Sequence, residues 1–244
     1  MWRAALRKRL GALRHRWFPR ASLKGDTELA WWLEVWDPQL RAGHLTGPDT
    51  LELSGEGSVA ATYEERRWQQ ARAEVRRVLR EAGIEDGDFF AGKVVADIGP
   101  GPLGFPDACP ARHSIGIEPL AQRFADAGLL LRDSEATYLT CGAESMPLLS
   151  GSVDVVISRN NLDHVDDPAR ALREIDRVLR PGGTLVINVD VDHTPTPSEP
   201  HTLAVADLRG WLAGYSIVRE DHWDHPHGYD GHAVVIVASK RAAG

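Results

Sequence analysis

The chain has 244 residues, a net charge of −7, and a composition of 43% hydrophobic and 26% charged residues. This composition excludes collagen-like, disulfide-rich and wholly disordered proteins, and no apolar run approaches the roughly 20 residues that a membrane-spanning helix needs. The length predicts one or two domains, and the only two cysteines, Cys109 and Cys141, form no CxxC pair, which favours a reducing, cytoplasmic location.

Residues 1–20 differ in charge from the rest of the chain. They hold seven Arg and Lys and no acid, which leaves 21 basic and 35 acidic residues elsewhere, a charge of −14. A body this acidic disfavours DNA as a partner. Apolar residues recur at helical spacing, at Trp2, Leu6, Leu10, Leu13 and Trp17. The segment is therefore predicted to be a basic amphipathic helix that lies on an anionic membrane surface, docks on the protein body, or contacts a second subunit in a homodimer.

The next segment, 21–90, is predicted to form a helical cap on the acceptor side of the protein. Residues 26–41 are predicted to form a Trp-rich helix that breaks near Pro38. The Gly- and Pro-rich residues 43–58 are typical of a loop. Residues 59–82 carry Arg and Glu at helical spacing, which predicts a second helix.

From residue 93 onward, short apolar runs bounded by turn residues occur seven times. They lie at 93–98, 113–117, 136–140, 153–158, 184–190, 215–219 and 232–238. Such runs are typical of strands that are buried on both faces. Helical patterns at 119–131 and 168–180 separate several of them. This alternation predicts an α/β fold with a doubly wound, mostly parallel sheet over residues 91–244.

A glycine loop follows the first predicted strand. Its pattern G-x-G-x-x-G is formed by Gly99, Gly101 and Gly104. With Glu118 at the end of the second predicted strand, this pattern also fits the dinucleotide-binding fingerprint. A pyrophosphate needs backbone N–H donors, however, and Pro100 and Pro102 each remove one. Asp97 precedes the loop, and no Arg or Lys follows it there. The loop therefore disfavours a nicotinamide cofactor and fits S-adenosylmethionine, which has a cationic centre, an amino group and a ribose diol but no phosphate.

Four motifs resemble those of class I S-adenosylmethionine-dependent methyltransferases of the ubiquinone-methyltransferase-like family, also called methyltransferase type 11. They are VVADIGPGPLG, IGIEP, CGAESMPLLSGSVDVVISRNNLDHVDDP and REIDRVLRPGGTLVINV. The resemblance implies a Rossmann-like methyltransferase fold with seven strands, the last of them antiparallel. It also implies S-adenosyl-L-methionine as the cofactor.

The resemblance assigns residues of this chain to parts of the cofactor. The methionine end is assigned to Asp97, Gly99, Pro100 and Gly101, the ribose to Glu118 and Pro119, the adenine to Ala143 and Glu144, and the underside of the cofactor to Asn160. Gly142 stands where the family often has an acid, so the adenine amino group needs Glu144 or a backbone carbonyl as its partner.

The segment 160–164 after the fourth predicted strand is expected to face the transferred methyl group. His164 is predicted to act as the general base for a hydroxyl acceptor, with Asp163 orienting its ring. The alternative is that Asp163 and His164 only cap and pack the helix that follows. Acceptor contacts are predicted for Asn161, His193 and His201.

No metal site is predicted. The histidine-rich run DHWDHPH at 221–227 has no known zinc spacing, and a sulfonium methyl donor needs no Lewis acid. The sequence thus indicates a small-molecule methyltransferase, with O-methylation of a sugar, polyketide or lipid-linked acceptor. The alternatives are a non-catalytic cofactor-binding or scaffold protein of the same fold, and an RNA methyltransferase whose nucleic-acid arm is residues 1–20.

Overall fold

The computed structural model describes residues 20–42, 62–224 and 230–242, with side chains from residue 24 onward. The predicted amphipathic helix of residues 1–20, apart from Arg20, lies outside the described residues. So do the predicted loop 43–58 and the end of the histidine-rich run at 225–227.

Seven strands form one sheet. They are β1 (Val94–Ile98), β2 (His113–Ile117), β3 (Thr137–Leu139), β4 (Val153–Arg159), β5 (Leu179–Val191), β6 (Tyr215–Asp224) and β7 (His232–Lys240). The spatial order is β3-β2-β1-β4-β5-β7-β6. Strands β1 to β5 pair in parallel, whereas β7 pairs antiparallel with both β5 and β6. The predicted doubly wound sheet with an antiparallel last strand is therefore confirmed.

Seven α-helices surround the sheet in the described part of the chain. They are α1 (Arg20–Trp31), α2 (Asp37–Arg41), α3 (Tyr63–Glu81), α4 (Phe105–Ala108), α5 (Ala121–Asp126), α6 (Pro168–Val178) and α7 (Val205–Trp211). The Asp167 side chain accepts a hydrogen bond from the backbone N–H of Arg170, which caps the start of α6. Thr62 and Glu65 form a reciprocal capping box at the start of α3. Local sequence thus fixes where α3 and α6 begin.

The predicted break at Pro38 is wrong. The π-helical turn Trp32–Trp36 joins α1 to α2, and the Asp37 N–H donates to the Trp32 carbonyl. This wider turn adds a residue to the helical path just before the proline. Pro38 then lies in the first turn of α2, where its missing N–H is tolerated.

The two faces of the sheet are covered by different helices. On one face, Leu172 and Ile175 of α6 join a large buried cluster with residues of β1, β4, β5 and β7. On the other face, Val75 and Val78 of α3 pack with Val95 and apolar residues of β4, β5 and β7. Helix α3 therefore shares a core with the sheet, although the sequence places it in the N-terminal cap. None of the helices in the described residues has the length and apolar content to span a bilayer.

Candidate functional site

The glycine loop lies at the carboxyl end of β1 and has a conformation that favours glycine. The φ angle is +63° at Gly99 and +54° at Gly101. A Cβ atom on Gly99 would lie 2.8 Å from Asn161 Nδ2, and one on Gly101 would lie 2.9 Å from the Trp32 ring. The Gly99 N–H donates to the Ile117 carbonyl at 2.8 Å, which ties the loop to β2. Both the backbone and the available space thus select glycine here.

Glu118 follows β2 and is only 3% exposed. Its Oε2 accepts the N–H of Gly101 at 3.1 Å, and its Oε1 accepts the N–H of Leu120 at 2.8 Å. Burial raises the pKa of Glu118 to about 7, and the nearby Glu28 of α1 raises it further, whereas the two N–H donors lower it. Each carboxylate oxygen keeps a lone pair with which it could accept a ligand hydroxyl.

Asp97 occupies the end of β1, beside the loop, and is 6% exposed. Burial raises its pKa to about 8; Arg159 opposes this shift, and Glu74 and Glu118 add to it. The loop itself contains no cationic residue. The positive charge near Asp97 comes from Arg159, at the end of the neighbouring strand β4. The site therefore carries several carboxylates and one partly compensating guanidinium.

Arg159 is the centre of a buried network that sequence analysis missed. Its Nη1 donates to Glu74 Oε2 at 2.9 Å, and its Nε donates to Glu81 Oε2 at 3.3 Å. Asn188 of β5 donates to the same Glu81 oxygen at 3.0 Å. The network ties α3 to the carboxyl edge of the sheet. The signal in the sequence was the spacing of Glu74 and Glu81, seven residues apart on one face of a helix.

The two asparagines after β4 have different surroundings. Asn160 is exposed, has a φ of +49°, and donates its N–H to the Asn188 carbonyl at 2.7 Å. Asn161 is buried; its Nδ2 donates to the Ile98 carbonyl, and its Oδ1 accepts the Ser158 hydroxyl at 2.7 Å. The Asn161 amide thus joins β4 to β1 beneath the glycine loop, and both of its ends bond within the protein.

The remaining residues assigned to the cofactor lie on both sides of this loop. Pro119 is exposed next to Glu118, and Ala143 is buried. Glu144 Oε1 accepts the N–H groups of Asp166 at 2.8 Å and Asp167 at 3.3 Å. The Glu144 carboxylate therefore holds the predicted adenine segment against the start of α6.

A cluster of histidines and carboxylates lies beyond β4 and β5. Asp163 is fully buried, and neither of its oxygens has a hydrogen-bond partner among the described residues. Its Oδ2 lies 3.6 Å from His193 Nε2 and 3.9 Å from His164 Nε2, and His164 Nε2 lies 3.9 Å from Glu199 Oε1. Burial raises the pKa of Asp163 to about 7. One ligand atom from each of Asp163, His164 and Glu199 lies within 4.8 Å of the others, so the three could share a metal ion.

This geometry changes one sequence-based expectation for the cluster and adds one contact. At 3.9 Å, Asp163 is too far from His164 to orient its ring by a hydrogen bond. Instead, His193 approaches Asp163 from the next strand, a contact that the sequence did not reveal. His201 lies at one side, where its Nε2 bonds to the Val165 carbonyl at 2.9 Å.

The N-terminal segment covers the glycine loop. Trp32 packs edge-on against Phe124 at 6.3 Å between ring centroids, and its ring borders Gly101. Asp26 of α1 pairs with Arg123 of α5 at 2.8 Å. The sequence predicts a Trp-rich helix here, but it gives no sign that Trp32 or Glu28 lies near the loop.

The central part of the chain is similar to known proteins. Residues 96–187 match a family model described as a methyltransferase domain. An uncharacterized methyltransferase of Mycolicibacterium vanbaalenii is 35% identical over 107 residues, which are 43% of this chain and 42% of that protein. One from Mycobacterium sp. strain JLS is 40% identical over 103 residues, which are 41% of this chain and 40% of that protein. The matches thus span less than half of these relatives.

Solved structures share the fold at low identity. An S-adenosylmethionine-dependent methyltransferase from Mesorhizobium loti has a TM-score of 0.55 and 17% identity, covering 69% of this chain and 96% of its own. The [4+2]-cyclase SpnF has a TM-score of 0.57 and 17% identity, covering 90% and 97%. Phosphoethanolamine N-methyltransferase 2 of Haemonchus contortus, solved with S-adenosylhomocysteine, has a TM-score of 0.54 and 15% identity, covering 70% and 53%. Residues 96–187 therefore resemble a methyltransferase domain, and the chain shares the fold of solved S-adenosylmethionine-dependent methyltransferases.

Proposed function

We propose that the protein transfers a methyl group from S-adenosylmethionine to a hydroxyl of a small molecule. The observation that carries this proposal is the arrangement of Asp97 and Glu118, two buried carboxylates at neighbouring strand ends on either side of a positive-φ glycine loop. The loop contains Pro100 and Pro102, which have no N–H to offer a phosphate. Anionic side chains at this edge suit a cationic ligand with a diol.

The residues present fit this cofactor. Both oxygens of Glu118 can accept ribose hydroxyls, and Pro119 lies beside it. Asp97, Gly99, Pro100 and Gly101 are proposed to line the methionine end. Ala143 and Glu144 are proposed to border the adenine, and Asn160 to lie under the cofactor. The bound cofactor supplies the activated methyl group, so this chain's own residues mainly bind and orient the two reactants.

The acceptor is proposed to lie beside the cluster of Asp163, His164 and His193, where β4 and β5 end. Ligands of open α/β sheets bind at the carboxyl ends of the strands. Asp163 and His164 are proposed to make loss of the acceptor's proton easier, because a hydroxyl is a weak nucleophile until it is deprotonated. Asn161 and His201, which bond to the backbone on either side, are proposed to hold the acceptor-facing turns in place.

The class of acceptor is proposed to be a sugar, a polyketide or a lipid-linked molecule. We also propose the sequence-based division into a basic helix at 1–20, a cap at 21–90 and a cofactor-binding domain at 91–244. The first segment, with seven cations, is proposed to bring a cytoplasmic enzyme into peripheral contact with anionic lipid or into a homodimer.

The test is a calorimetric titration with S-adenosylhomocysteine. Glu118→Gln keeps the side-chain volume but removes the charged acceptor, so its affinity should fall by about 1.5–3 kcal/mol, roughly ten- to hundredfold in Kd. The matched control is Glu85→Gln, a substitution at an exposed glutamate between α3 and β1, which should leave Kd unchanged. An unchanged Kd in Glu118→Gln would contradict the placement of the ribose.

A further inference from the structure

We propose that Asp163, His164 and Glu199 bind a divalent first-row transition-metal ion, with His193 as a fourth donor, and that this ion holds the methyl acceptor. The second half of this proposal rests on the proposed methyl transfer. The first half, ion binding, stands on the geometry of the cluster alone. It replaces the sequence-based expectation that the protein has no metal site.

The first observation is the state of Asp163. Its side chain is buried, and its two oxygens find no hydrogen-bond donor among the described residues. A buried carboxylate without such partners is costly, and proteins normally compensate it with a counter-charge or a coordinated ion. The ring nitrogens of His164 and His193 face it, but they stay beyond hydrogen-bonding distance.

The second observation is the spacing of the donor atoms. The separations of 3.6 Å and 3.9 Å are too long for hydrogen bonds. Two ligands that bind one ion with bonds of about 2.1 Å lie about 3.0 Å apart at a right angle and about 3.4 Å apart in a tetrahedron. The three separations that involve His164 and His193 exceed these values by about 0.2–0.9 Å, so small side-chain movements would bring these donors to coordination distance.

The donor set indicates the kind of ion. It contains imidazole nitrogens together with carboxylate oxygens, a mixture that suits Zn²⁺, Mn²⁺, Fe²⁺ or Co²⁺ better than Mg²⁺, which prefers oxygen alone. Neighbouring bonds orient the donors, as is usual around metal ligands. The Nδ1 of His193 lies 3.1 Å from the Thr194 carbonyl, which directs Nε2 to the cluster. Thr196 donates to Glu199 Oε2 at 3.0 Å, and the other oxygen faces His164.

The position of the cluster indicates what the ion would do. Asp163 follows β4 two residues after Asn161, whose side chain borders Gly99 in the glycine loop. His193 and Glu199 follow β5, so the ion would lie on the acceptor side of the cofactor loop. An acceptor with two adjacent oxygens, such as a vicinal diol or an α-hydroxy acid, could chelate it there.

Coordination also provides a route for the reaction. A bound cation lowers the pKa of a coordinated hydroxyl, which favours release of its proton to water. The oxygen then forms a bond to the methyl carbon while the carbon–sulfur bond of the sulfonium breaks. The sulfur keeps the electron pair and becomes a neutral thioether. In this scheme His164 is an ion ligand rather than the general base.

Ion binding can be measured without any acceptor. We would strip the full-length protein with a chelator, titrate it with Zn²⁺ by calorimetry, and follow Co²⁺ by its visible absorption. One equivalent should bind. Asp163→Asn and Glu199→Gln should each weaken binding at least tenfold. The matched control is Glu220→Gln, which alters a carboxylate 2.8 Å from His222, outside the cluster, and should leave binding unchanged.

The outcomes separate this inference from the proposed function. Absence of stoichiometric binding in the wild-type protein would overturn it, and so would binding that persists in both variants, because the ion would then lie elsewhere. Circular dichroism checks that the variants fold. Because Glu199 lies in a loop, Glu199→Gln can test ion binding even if Asp163→Asn does not fold. Protein that binds S-adenosylhomocysteine but no ion contradicts this inference alone. Protein that binds the ion but not S-adenosylhomocysteine contradicts only the proposed cofactor.

Discussion

Glu118 and Asp97 are buried carboxyl groups. The unliganded folded protein and the bound ligand favour different protonation states of these groups. Burial raises their pKa values to about 7 and about 8, respectively, so the folded protein favours their protonated forms. A ligand that carries a positive charge, or that donates hydrogen bonds to these carboxylates, favours the ionised forms. The residues that would recognise the cofactor are therefore also a source of instability without it.

This difference predicts a pH dependence of stability. The pKa of Glu118 rises from 4.5 in the unfolded chain to about 7 in the folded protein. The folded state thus holds the extra proton, and the stability that this provides is complete below pH 4.5 and is lost as the pH rises through about 7. Glu118→Gln cannot lose a proton, so the free energy of unfolding of the wild type should fall relative to this variant between pH 4.5 and 8, by up to about 3 kcal/mol.

Urea unfolding at both pH values, without ligand, checks this expectation. In the difference between wild type and variant, the contributions of the other titrating groups, including Asp97, to the pH dependence of stability cancel. A difference that stays constant with pH would mean that Glu118 is already ionised in the unliganded protein.

At the scale of the elements, the strands were the most predictable part. Runs such as those at 153–158 and 232–238 are continuously apolar because both faces of their strands are buried, and β4 and β7 appear within one or two residues of the predicted ends. The glycine loop was predictable because its glycines follow a strand directly. The helix around Pro38 was not, because a π turn compensates for the proline.

The site was predictable only where its residues lie close together in the sequence. Asp97, Gly99 and Gly101 form one motif, but the approach of His193 to Asp163 depends on the pairing of β4 with β5 and on the loop after β5. Similarly, the position of Trp32 depends on how α1 packs across the sheet edge. Such contacts between distant segments leave no periodic signal.

The link between α3 and the sheet gives a prediction at this scale. The Arg159 side chain is only 15% exposed, and it bonds to both Glu74 and Glu81. Arg159→Met should leave the buried Glu74 without this cation, whereas Glu81 keeps its pair with Arg77 at 2.7 Å, and should reduce the free energy of unfolding by about 3–5 kcal/mol. The matched control is Arg180→Met, whose half-exposed guanidinium pairs with Asp154, and it should cost at most about 1 kcal/mol. Equal losses in chemical denaturation would show that the network has no special role.

For the whole molecule, the separation of charge along the chain predicts weak, salt-dependent membrane binding. Residues 1–20 are cationic and the rest carries −14. The full-length protein should co-sediment with anionic vesicles at low salt and much less at 0.15 M, where the Debye length is about 8 Å. A variant in which four cationic residues of segment 1–20 are replaced by glutamine should lose this binding. The four residues are Arg7, Lys8, Arg9 and Arg14. Equal partitioning of the two proteins would leave the segment as a packing or dimer element.

The sheet edge is proposed to bind S-adenosylmethionine rather than a dinucleotide. The buried carboxylates Asp97 and Glu118, and a loop with two prolines, favour a cationic ligand without phosphates. The most direct measurement is a pair of calorimetric titrations of the full-length protein, with S-adenosylmethionine and with NAD⁺. We expect one saturable site for S-adenosylmethionine and no measurable binding of NAD⁺. Binding of NAD⁺ without binding of S-adenosylmethionine would contradict it.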